Sequence, residues 1–136
     1  MKKYKITLLV SIIVSIVLEA LPYGAVCNFA TPEKTIRQTF SYFSLTPFGY
    51  ANFGPFITAC LTCILLFLSI LLLTKFSDKI KKIATVVSGI SVVTSFMPLM
   101  FGFNYYSVVG GIISAMMIIQ FVIIMFIKKR DSNEVQ

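Results

Sequence analysis

The chain contains no histidine and no tryptophan, and only five acidic residues against twelve basic ones. Without imidazole it has no side chain that titrates unperturbed near neutrality and no common zinc ligand set, so metal-assisted catalysis is a poor expectation and no cofactor is called for. Cysteine is scarce, at three, and the acids are so placed that only Glu19 falls inside a long apolar run. A soluble domain is excluded from the other direction. At 57% hydrophobic and a mean hydropathy of +0.91, the 136 residues are far more apolar than a water-soluble fold carries.

What the chain does have is four apolar stretches, about 6–25, 55–74, 83–100 and 107–127. A helix rises 1.5 Å per residue, so about 20 apolar residues cross a hydrocarbon core about 30 Å thick. The fold class expected is therefore all-α: a single transmembrane domain over residues 1–136, built as a four-helix bundle. The first span, preceded by MKKYK, has the form of a signal peptide. It lacks a good cleavage site, because Tyr23 and Val26 stand where small residues are wanted, and it is expected to remain as a helix.

Ten of the twelve bases lie at span ends: Lys2, Lys3 and Lys5; Lys75, Lys79, Lys81 and Lys82; Lys128, Lys129 and Arg130. Short loops rich in Lys and Arg stay in the cytoplasm, which puts both termini inside a cell membrane and leaves Lys34 and Arg37 outside. Bases so confined do not make a nucleic-acid surface. The excess of lysine over arginine and the abundance of isoleucine fit a bacterial inner membrane.

The one sizeable loop, 26–54, carries Thr31-Pro32-Glu33, a helix-start pattern, succeeded by Ile36, Phe40 and Phe43 at i, i+4 and i+7. This predicts a short interfacial helix over about 32–44. The aromatic run Thr46–Phe56 and the turn Phe101–Tyr106 read as interface belts.

Helices in lipid associate through small residues and interhelical hydrogen bonds. Thr7, Ser11, Ser15 and Glu19 recur every four residues in the first span. Gly89 in the third, and Gly110, Gly111 and Ala115 in the fourth, are further packing candidates. Ser11 joins them.

Glu19 is the position at which chemistry is first sought, since a carboxyl within a span is costly unless it is paired, protonated or hydrated. By depth it lies level with Thr58, Thr62 and Ser95, which together with Ser15 form a candidate proton- or cation-binding cluster. Pro22 is expected to kink the helix just beyond it. Lys34 or Arg37 could instead pair with it from the loop, and Gln120 is read as an interhelical hydrogen bond. A lone acid in the first of four spans resembles the small multidrug transporters, although this chain has no tryptophan and a far longer first loop.

Cys60 and Cys63 form a C-x-x-C near the outer end of the second span. Its placement resembles that in the bacterial quinone-linked disulfide-generating enzymes, whose second cysteine pair is here reduced to Cys27 alone. Three functions thus stand as expectations. The first is a noncatalytic accessory subunit of a larger membrane complex or homo-oligomer, with no enzymatic activity. The second is a small proton- or cation-coupled transporter or channel-like module using Glu19. The third is a thiol-disulfide redox protein using Cys60 and Cys63.

Overall fold

The computed structural model describes residues 2–45, 53–75, 77–100, 102–103 and 106–135. In chain order it forms α1 (Lys2–Ala20), a hairpin of β1 (Ala25–Ala30) and β2 (Thr35–Phe40), α2 (Gly54–Thr74), α3 (Asp78–Ser95), a single turn α4 (Met97–Met100) and α5 (Val108–Val135). It is 74% helical. Among the described residues three segments are long and apolar enough to cross a membrane: Gly54–Thr74, Asp78–Met100 and Val108–Arg130. The four long helices touch in a ring, α1 against α2 and α5, and α3 against α2 and α5.

Helix ends obey local chemistry. Pro55 stands in the first turn of α2, where its missing N–H costs nothing. Ser77 precedes α3 in extended backbone and Asp78 puts an acid in the first turn. α1 stops at Ala20 rather than running on to residue 25 with a kink, because Pro22 disfavours helical backbone at the residue before it. Glu19 therefore sits in the final turn of α1.

The loop differs more. Residues 35–40 form a strand where a helix over about 32–44 was expected, and Ala25 to Ala30 pair antiparallel with Phe40 to Thr35. Thr31 closes the turn: its amide donates to Lys34 O at 2.9 Å and its hydroxyl bonds the same residue's backbone. Pro32 thus opens a turn instead of a helix, and the β-branched Thr35, Ile36 and Thr39 favour the pleated backbone of β2. The aromatic run 46–52 lies outside the described residues, as do Phe101, Asn104 and Tyr105 of the second turn.

Exposure is inverted relative to a water-soluble bundle. Ile6, Val10, Ile13 and Val17 of α1 face outward, as do Ile64, Phe67 and Ile70 of α2, Ile83, Val86, Ile90 and Val93 of α3, and Ile112, Ile119, Val122 and Phe126 of α5. Ser15, Glu19, Thr58, Thr62, Ser88 and Gln120 are inside. Such a surface suits a lipid solvent, in which only polar groups need to be hidden.

The interior is layered. Beside the basic ends lies an apolar cluster of Leu8, Ile12, Leu65, Leu68, Leu72, Ala84, Ile124 and Ile127. At the far end a second cluster joins Ala25, Tyr42, Ala59, Ile113 and Met117. Between them is a polar layer.

Candidate functional site

All five members of the cluster expected from sequence are buried: Ser15, Glu19, Thr58 and Thr62 at 0% exposure and Ser95 at 1%. α1 presents Leu8, Ile12, Ser15 and Glu19 to the interior. That spacing averages about 3.7 residues, close to the helical repeat of about 3.6, whereas a strict four-residue repeat drifts about 40° per step around the helix. Thr7 is consequently exposed, and both Thr7 and Ser11 bond carbonyls of their own helix. The same drift acts on α5, whose inward line is Ser107, Gly110, Ser114, Met117 and Gln120, leaving Gly111 half-buried and Ala115 exposed. Gly89 is half-buried, beside the Phe121 ring.

Thr62 Oγ1 lies 2.8 Å from Glu19 Oε1 and 2.8 Å from Thr58 O. A hydroxyl has one proton, and this geometry accommodates either state of the acid. With Glu19 ionised, Thr62 donates to it. With Glu19 protonated, the acid donates to Thr62, which in turn donates to Thr58 O. No heavy atom has to move between the two. Met117 Sδ stands 3.9 Å from the same hydroxyl and closes the α5 side. Thr58 Oγ1 continues the line across to Thr94 Oγ1 at 2.8 Å, linking α2 to α3.

The second carboxylate oxygen, Glu19 Oε2, is buried with no hydrogen-bond partner. No basic group among the described residues pairs with Glu19. Lys34 is exposed on the hairpin turn, and the Arg37 guanidinium reaches Tyr106 O at 3.5 Å. A buried acid so placed is costly to ionise, and no ion pair among the described residues offsets that cost.

The far side of the site is closed by Tyr42, 1% exposed, a residue without any marked periodicity in the sequence. Its amide donates to Glu19 O at 2.8 Å, satisfying one of the carbonyls left over at the end of α1. Burial, with Tyr106 and Glu19 adding to it, holds its phenol above the ordinary range, so it stays neutral. Gly24 lets the Tyr42 ring approach: a Cβ there would stand 2.8 Å from two ring carbons. Ser107 Oγ donates to Gly24 O at 2.6 Å, and Ala25 bridges to Tyr106, so the hairpin is tied to the start of α5 as well as to α1.

Gln120 spends both amide protons on α1, at 2.7 Å to Ser15 Oγ and 3.3 Å to Ser11 O. Ser11 O can only accept, which fixes the nitrogen on that side and leaves Oε1 facing elsewhere without a partner. The three cysteines are free thiols, Cys27 buried in β1 and Cys60 and Cys63 exposed on α2. Burial raises the Cys27 thiol above its usual range, which makes it a poor nucleophile. No family model matches the chain, and no curated protein or solved structure shows significant similarity to it.

Proposed function

We propose that the chain crosses the cell membrane four times with both ends in the cytoplasm, and that Glu19 binds and releases a proton or cation inside the bundle as a small coupled transporter or channel-like module. The fourth span is α1. Its outward face is as apolar as those of the other three long helices, and its charges are confined to the first turns and to Glu19. The orientation rests on the bases: Lys2, Lys3, Lys75, Lys79, Lys82, Lys128, Lys129 and Arg130 are all exposed beside the same apolar cluster, and Arg130 packs over the Tyr4 ring at 5.5 Å.

One observation carries the coupling role: Glu19 is fully buried, with one oxygen on a hydroxyl that serves either protonation state and the other without a partner. The test is flux into vesicles containing the purified protein and a trapped pH dye, under an imposed membrane potential and then under sodium and potassium gradients. Wild-type protein is expected to move protons or cations and Glu19→Gln to lose that movement while still inserting. Equal rates in the two, including no movement in either, overturn the proposal.

A second reading, a noncatalytic accessory subunit, is favoured by the hairpin. Residues Thr35–Thr39 of β2 are exposed, and the sheet has two strands among the described residues, so β2 offers an edge to a partner. Mild-detergent purification from native membranes would then recover a stoichiometric partner that Ile36→Lys releases.

A further inference from the structure

We infer that a single monovalent cation sits in the polar layer, coordinated by Glu19 Oε2, Gln120 Oε1 and Ser88 Oγ; this deepens the reading of Glu19 just proposed and rests on it. These three oxygens, on α1, α5 and α3, are buried and have no hydrogen-bond partner. Their residues are exposed to 0%, 0% and 1%. Buried oxygens normally find donors, and three left bare in one core point to a guest that supplies positive charge to all of them.

Their depths agree. The bond between Gln120 and Ser15 puts Gln120 one helical turn inward of Glu19, about 6 Å along the axis. Ser114 Oγ to Ser95 O, at 3.3 Å, sets the register of α5 against α3. From there Ser88 is seven residues inward on α3 and Gln120 six residues inward on α5, about two turns each. Gly89, whose added Cβ would stand 3.6 Å from the Phe121 ring, is in keeping with the same antiparallel register.

Direction narrows the remaining turn between Glu19 and Gln120. Cα–Cβ bonds tilt toward a helix's amino end. α1 begins at the basic end, so Glu19 tilts inward, toward the Gln120 layer. α5 begins at the far end, so Gln120 tilts outward, toward Glu19. The amide nitrogen is already held by α1, which leaves its oxygen for the guest.

Charge selects the class of ion. One carboxylate neutralises one monovalent cation, whereas a divalent ion would leave a net positive charge in an apolar surround, at a large solvation cost. Among the described residues no group of three or more acidic, cysteine or histidine side chains gathers to hold a metal ion.

The experiment is thermal unfolding of the purified full chain in nanodiscs at constant ionic strength, with sodium or potassium replacing choline stepwise, alongside direct binding of radioactive sodium. Sodium or potassium should raise the unfolding temperature saturably. Ser88→Ala, which gives up no hydrogen bond present in the fold, should need about tenfold more cation for half the shift, the loss of one charge-assisted oxygen contact. Gln120→Met should do at least as much, and Glu19→Gln should abolish the shift. No cation-dependent shift in wild type overturns this inference and leaves proton exchange at Glu19 standing. A shift lost in Glu19→Gln but unchanged in Ser88→Ala and Gln120→Met places the ion on the carboxylate alone and overturns the three-oxygen site. Magnesium outperforming both monovalent ions contradicts the charge balance.

Discussion

The apolar layer near the basic ends and the polar layer above it are built by the same four helices, yet they hold those helices by different means. In the apolar layer Leu8, Ile12, Leu65 and Leu68 meet one another. In lipid they gain no transfer energy by doing so, since the alternative surroundings are equally apolar, and what remains is close packing. In the polar layer the alternative is a hydroxyl, amide or carboxyl facing hydrocarbon, and the bonds Gln120–Ser15, Glu19–Thr62 and Thr58–Thr94 fix which helix faces which. The first layer supplies cohesion and the second supplies register.

Backbone proximity at the far edge of the polar layer is the sharpest place to break that division. A Cβ on Gly54 would stand 2.8 Å from both Met97 Cβ and Thr94 O. Gly54→Leu should therefore separate α2 from α3 and abolish the monodisperse peak in detergent gel filtration, an overpacking cost above about 3 kcal/mol. A normal peak would show that the helices are not held this closely.

Leu65→Ala should come next. It removes packing without removing a hydrogen bond, and with the transfer contribution largely cancelled by lipid it should cost about 2 kcal/mol in steric-trap unfolding, at the lower end of core truncations in water. A cost above about 4 kcal/mol would mean that the apolar layer also sets register.

Thr62→Val keeps the shape and removes the hydroxyl beside Glu19. Its expected stability cost is about 1 kcal/mol, because interhelical hydrogen bonds in membranes are worth little net. The informative readout is the acid's infrared carbonyl band, which should shift in frequency when its hydroxyl partner goes. An unmoved band would separate Thr62 from Glu19.

Cys60→Ser with Cys63→Ser should be smallest, within about 0.5 kcal/mol, since both residues face outward and lie outside the buried core. Loss of function in that double variant, with the flux assay as readout, would revive the redox reading.

The three long apolar helices α2, α3 and α5 were legible in sequence because length and hydropathy decide them, and their basic flanks sharpen the ends. The common depth of Glu19, Thr58 and Thr62 was legible too, since depth along a span can be counted at a fixed rise per residue, and all three are buried. The lack of a partner at Ser88 was not legible, since it depends on where α5 stands. Tyr42 was hidden for another reason. Its role comes from a loop folding back over the end of α1, and no periodicity encodes that return. The hairpin misled because Thr-Pro-Glu is compatible with a helix start and with a turn, and the choice between them is made by the pairing of β1 with β2 across it.

The hydrogen bond from the Tyr42 amide to the Glu19 carbonyl joins main chain to main chain, so substituting either side chain does not by itself remove it. A lever that lifts the hairpin pulls on the last turn of α1, and with it on the carboxyl, as well as on the start of α5. Traction applied at the β-turn, some distance from the charge, would thus be felt at the acid as a change of position.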